Sequence, residues 1–110
     1  MISWEDFEKV ELRVGTVVRV EPFPEARKPA WKVWVDFGEP LGVKKTSAQI
    51  TAHYTAETLI GRQVVCVTNF PPKQIGKFLS EILITGFPDE QGAVVLIGPD
   101  QSVPNGARLF

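Results

Sequence analysis

TAETLIGRQVVCVTN, residues 55–69, sets a short helix directly before a strand. Thr55 is a good N-cap, residues 56–60 suit a helix, and Gly61 is placed to stop it. Residues 63–69 then form a strong β run around Val64, Val65, Cys66 and Val67. The architecture turns on where this lone mid-chain helix falls among the strands.

Upstream, Ser3 and Asp6 have the spacing of a capping box, with Ile2 and Phe7 placed as a hydrophobic staple, so residues 3–9 read as about two turns of helix. Val10, Leu12 and Val14 then alternate with Glu11 and Arg13, which is strand spacing. Gly15 interrupts, and a long strand bent there would pair in two directions before Pro22 and Pro24 end it. Trp31, Val33, Val35 and Phe37 share one face of a half-buried strand, with Lys32, Trp34 and Asp36 on the other. Residues 43–50 read as a polar strand, 78–87 as another strand and 93–97 as a last one. Five or six strands with one mid-chain helix predict a small closed barrel. With that helix between strands three and four, the class is all-β: a five-stranded OB-fold barrel with a short N-terminal helix, one domain over residues 1–110.

The chain has 110 residues, 44% of them hydrophobic, and a net charge of −1. That length suits one self-sufficient core, and the near-neutral balance argues against coating nucleic acid by global charge while leaving room for a local basic patch. The acidic start offers no basic leader region, and no apolar run approaches a membrane span, so the expected compartment is the cytoplasm, without membrane insertion.

The residues offer little to an enzyme. One His and one Cys leave no metal-ligand spacing, and no nucleotide-binding or nucleophile motif is present. His53 reads as a loop residue at the helix entrance, and Cys66 as a small core residue. The expectation is a binder with no catalytic residue, metal or cofactor. Lys44, Lys45, Ser47 and Gln49 sit on a strand that is either an exposed barrel face or a groove wall. Pro71 and Pro72 fix two φ angles after Asn69 and Phe70, and hold Lys73, Ile75, Lys77 and Phe78 in a set array. Phe70 and Phe78 are either core or, beside lysines, stacking surfaces. Trp34 reads first as packing under a loop. Alternation does not decide which face of 78–87 is buried.

Several pieces occur in a familiar order: Glu-Leu-Arg-Val-Gly at 11–15, Val-Glu-x-x-Pro at 20–24, Lys-x-x-x-Asp-x-Gly at 32–38, Ala-Gln-Ile at 48–50, Val-x-Asn-Phe-Pro-Pro at 67–72, and the run 98–106. The set resembles the tRNA-binding OB domain appended to some methionyl- and phenylalanyl-tRNA synthetases. Within that superfamily it is most similar to the stand-alone CsaA-type proteins, described as export-related chaperones. The resemblance implies a homodimer that binds unfolded precursor polypeptides, a link to the secretion machinery, and tRNA as a second partner. Where the tRNA binders carry Ser-x-Gly-Met, this chain has Ser80-Glu81-Ile82-Leu83, and the added charge at Glu81 weakens the tRNA reading. The implied groove has a rim at Asn69 and Phe70, a positive edge at Lys73 and Lys77, an apolar floor at Ile75 and Phe78, and polar contacts at Ser80 and Glu81. Lys44, Lys45, Ser47 and Gln49 form the facing wall. The front helix (Trp4, Phe7) and Leu109-Phe110, or the strand edge near Phe70, are expected at the dimer interface.

Overall fold

The computed structural model describes residues 1–110. In chain order it has α1 (Trp4–Glu8), β1 (Leu12–Pro22), β2 (Trp31–Asp36), β3 (Val43–Ala48), α2 (Ala56–Leu59), β4 (Gln63–Val67), β5 (Lys73–Ile75), β6 (Phe78–Ser80), β7 (Leu83–Ile84), β8 (Gly86–Pro88) and β9 (Val94–Leu96). The main sheet is antiparallel with strand order β3-β2-β1-β4-β7, and β5–β6 and β8–β9 are separate hairpins. Its free edges meet through Glu81, whose N–H donates to the Lys45 carbonyl at 2.8 Å and whose carboxylate accepts the Lys45 N–H at 3.1 Å. The result is a nearly closed five-stranded barrel with α2 between β3 and β4, the arrangement expected of an OB-fold.

β1 serves two neighbours, as its length predicts. Leu12–Thr16 pair with β4, and Thr16–Pro22 pair with β2. The irregularity lies between Val17 and Arg19, however, and not at Gly15. Gly15 serves close packing: a Cβ there would lie 2.4 Å from Val35 Cγ1 and 2.9 Å from the Phe37 ring. Beyond the reach of β2, the first half of β1 is covered by the C-terminal segment, through Val14 N–H to Ala107 O at 3.0 Å and Leu109 N–H to Leu12 O at 2.8 Å.

The barrel core joins Val17, Val33, Val35, Phe37, Ile50, Tyr54, Leu59, Val64, Cys66 and Ile82. α2 acts as the plug. Thr55 caps it by accepting the Thr58 N–H, Leu59 is fully buried, and Gly61 leaves the helix at φ +88° to donate to Val17 O at 2.8 Å. The capping box of α1 forms between Ser3 and Asp6 as expected, but no residue of that helix is buried.

The single strand expected over 78–87 is a correction. It is three short strands, β6, β7 and β8. β6 ends at Ser80, whose hydroxyl bonds β3, Glu81 beyond it bonds β3 as well, and Ile82 turns into the core at 6% exposure, so no one ladder continues through them. The polar strand expected over 43–50 ends at Ala48, and Ile50 is buried in the core. Because nothing around Gly15 has room for a methyl, Gly15→Ala should lower unfolding free energy by about 1–3 kcal/mol, the usual cost of overpacking, read from the urea midpoint.

Candidate binding groove

A second, smaller cluster lies on the outside of the sheet: Phe23, Ala30 and Phe78, with Ala26, Trp34 and Ile75 against it. Phe23 and Phe78 pack with ring centroids 5.5 Å apart, and Trp34 meets Phe78 edge-on at 6.0 Å. Cations cover these rings. The Arg19 guanidinium is 4.4 Å from the Trp34 centroid, Lys32 Nζ is 4.9 Å from Phe23, and Lys45 Nζ is 5.2 Å from Phe78. This cluster glues the β5–β6 hairpin to the barrel. The hairpin shares no backbone ladder with the main sheet, so its position depends on these rings and on Ser80.

Ser80 sits in a closed hydroxyl circuit. The Ser47 N–H donates to Ser80 Oγ at 3.3 Å, the two hydroxyls of Ser80 and Thr46 lie 2.7 Å apart, and Thr46 Oγ1 donates to Ser47 O at 3.2 Å. With Ser80 donating to Thr46, every proton has an acceptor. Thr46 is only 2% exposed, and this circuit satisfies its hydroxyl.

Between the hairpin and the seam runs a groove of about 680 Å³. Thr46, Ser47, Ser80 and Glu81 make a polar floor, while Phe70, Pro71, Pro72, Ile75, Ile82 and Leu83 make apolar walls. Lys73 is its one cation and Glu81 its one anion. Phe70 stands at the rim, 55% exposed.

The groove brings together Ser47, Phe70, Lys73, Ile75, Ser80 and Glu81 from the set read in the sequence. The other six lie elsewhere. Lys44 pairs with the buried Val35 and shares the inward parity of Thr46. Lys45 contributes its backbone to the seam and its ammonium to the Phe78 ring. Gln49 faces a neighbouring hollow with Arg27, Lys28 and Ile75, and Lys77 a third with Phe23 and Lys32. Asn69 is a tether: its Oδ1 accepts the Glu11 N–H at 3.0 Å and its Nδ2 donates to Lys9 O at 2.7 Å. Phe78 is a packing residue, 8% exposed, between its hairpin and the sheet. Sequence reading missed Thr46 and Gln74 as lining residues. Thr46 was legible in principle, since its strand neighbours fix its parity, but its hydroxyl partner lies 34 residues away.

No group of three or more His, Cys, Asp and Glu side chains converges anywhere. Cys66 is fully buried, and desolvation pushes its thiol up to about 12, so it stays protonated and inert. His53 Nε2 lies 2.7 Å from Asp89 Oδ2, and this hydrogen bond is the main cause that holds the Asp89 carboxyl below its usual range. That pair ties the loop before α2 to the β8–β9 turn and does not line the groove. No helix is long and apolar enough to cross a membrane. Ile2, Trp4 and Phe110 are exposed by 74%, 82% and 107%, and border an open hollow with Phe7.

The family model described as a putative tRNA binding domain matches residues 12–108. The chain is 35% identical over 108 residues to a methionine–tRNA ligase of Porphyromonas gingivalis, covering 98% of this chain and 15% of that protein. It is also 35% identical over 109 residues to the methionine–tRNA ligase of Bacillus subtilis, covering 16% of it. The chain thus spans roughly a sixth of the length of these curated relatives. Among solved structures it is similar to the chaperone CsaA of Bacillus anthracis, at 50% identity and a TM-score of 0.93 over 100% of this chain and 99% of that one. The CsaA chaperone of Picrophilus torridus matches at 44% identity and a TM-score of 0.92 over the full length of both. A protein of Pyrococcus horikoshii described as related to methionyl-tRNA synthetase matches at 28% identity and 0.87, over 100% and 98%.

Because Phe78 is a packing residue, Phe78→Ala should cost about 3 kcal/mol of stability and loosen the hairpin. Chemical denaturation should show this loss in the absence of any ligand.

Proposed function

The chain belongs to the family of putative tRNA-binding domains, in its CsaA-like branch, and on that premise we propose that it is a non-enzymatic chaperone that holds unfolded polypeptide segments in the groove. The observation that carries this reading is the groove's make-up. Apolar walls on a rigid Pro71-Pro72 elbow suit apolar side chains, and the hydroxyls of the floor suit the polar groups of an extended chain. One cation and one anion within it leave no local field to demand a charged ligand. Holding needs no nucleotide, because weak affinity and mass action govern capture and release.

The reading extends to precursor polypeptides awaiting export, met in the cytoplasm beside the secretion machinery; the resemblance to CsaA-type proteins supports that extension. A homodimer fits it. α1 keeps a complete capping box yet buries none of its residues, and Trp4 and Phe110 stand exposed beside it. Two copies joined there would carry two grooves, raising the effective concentration of the second contact. Trp4→Glu should then give a monomer by sedimentation and weaken capture of a long unfolded chain far more than capture of a short peptide. A dimer of unchanged mass would remove α1 from the interface.

A second reading, tRNA binding, is favoured by Lys32, Lys45 and Arg19 over their rings on the outer face. Salt separates the two. Apolar peptide affinity should change less than about twofold between 50 and 200 mM salt, whereas an RNA neutralised by these three cations should lose roughly tenfold or more. Fluorescence anisotropy with a labelled unfolded segment and a labelled tRNA checks this. Peptide binding that is absent at all salts would overturn the chaperone reading.

A further inference from the structure

The β5–β6 hairpin closes with a two-residue turn, Gly76 and Lys77. Gly76 has φ +60° and Lys77 does not have positive φ, which is the type II′ pattern. In such a hairpin the residues that flank the turn, Ile75 and Phe78, exchange both backbone hydrogen bonds. Alternation then makes Gln74–Leu79 the non-bonded pair and turns the Gln74 N–H and C=O away from β6. Neither group enters any turn, loop or side-chain hydrogen bond elsewhere. Six consecutive residues, 70–75, line the groove, including all three of β5, whereas β6 contributes only Ser80. A strand that lined it with one face would contribute alternate residues, so β5 meets the groove edge-on.

The opposite wall is closed to such pairing. The β3 amides that point toward the groove are taken, Lys45 N–H by the Glu81 carboxylate and Ser47 N–H by Ser80 Oγ. β5 is therefore the strand edge left free, three residues long and bounded by Pro72, which has no N–H. We propose that an extended polypeptide binds here as an added strand, exchanging both backbone bonds with Gln74 and dropping alternate side chains toward Ile75 and Ile82. The partner is an unfolded or extended segment, recognised first through its main chain. A helical segment has no free amides to offer. This rests on the chaperone reading and adds the binding mode: pairing that is nearly indifferent to sequence, and too short to hold tightly.

The test uses the unaltered protein and a labelled, end-blocked eight-residue peptide of serine and threonine with one central phenylalanine and a leucine two residues on. Each amide of the peptide is N-methylated in turn. The expected result is a two-fold periodicity: methylation at one parity weakens binding by roughly five- to tenfold, and at the other is tolerated. Amide hydrogen exchange at Gln74 should slow when peptide saturates the protein. Gln74→Pro, which removes the amide facing the groove while leaving the Ile75–Phe78 pair in place, should not bind. A flat methylation profile, or Gln74 exchange unchanged by bound peptide, overturns the strand-addition mode and leaves groove binding standing. No binding of the unmethylated peptide overturns the chaperone reading itself. Slowed Gln74 exchange that follows protein concentration without peptide would assign the edge to a second copy of this chain and overturn the proposal.

Discussion

Glu81 bonds β3 twice, once with its amide and once with its carboxylate. A side chain there stands in for a ladder residue, because β7 begins only at Leu83 and forms no backbone ladder with β3. This substitution brings the edges of the sheet together, and it also places Ser80 within reach of Thr46 and Ser47. The groove floor and the barrel seam are therefore the same few atoms. A perturbation of the seam is a perturbation of the site, and the hydroxyl circuit is what keeps a polar floor rigid over an apolar core.

The hairpin above that floor is held differently. Its two strands form a backbone ladder only with each other, while Ser80 ties it to β3 and the rings of Phe23, Phe78 and Trp34 fasten it from outside the barrel. Lysine and arginine over those rings exclude water from an aromatic cluster that would otherwise lie open. One wall of the groove thus stands on the seam's hydrogen bonds, and the other on ring packing together with the Ser80 hydroxyl.

Local chemistry made much of this legible in advance. The capping residues Ser3 and Thr55, the alternation of Val33 and Val35 with Lys32 and Trp34, and the helix between β3 and β4 all follow from spacing within a few residues. What failed to show depends on partners far along the chain. Asn69 reads as a groove rim until Glu11 and Lys9 are seen to take its amide, and Phe78 reads as a stacking surface until Phe23 is seen beside it. The run 78–87 reads as one strand because its β-forming residues are continuous, while its breaks come from bonds made to β3. Gly15 gave the right kind of signal with the wrong cause. It marks a close approach of Val35 and Phe37, and the bulge lies two to three residues on.

Cys66 lies with no exposed surface in the middle of β4, between Arg13 of β1 and Ile84 of β7 and with its thiol kept protonated. It is also the single cysteine of the chain. The native molecule is in effect chemically silent toward thiol reagents while folded. Any cysteine introduced at an exposed position becomes the sole point of attachment for a dye, spin label or crosslinker, and the native thiol becomes a reporter that reacts only when the barrel opens.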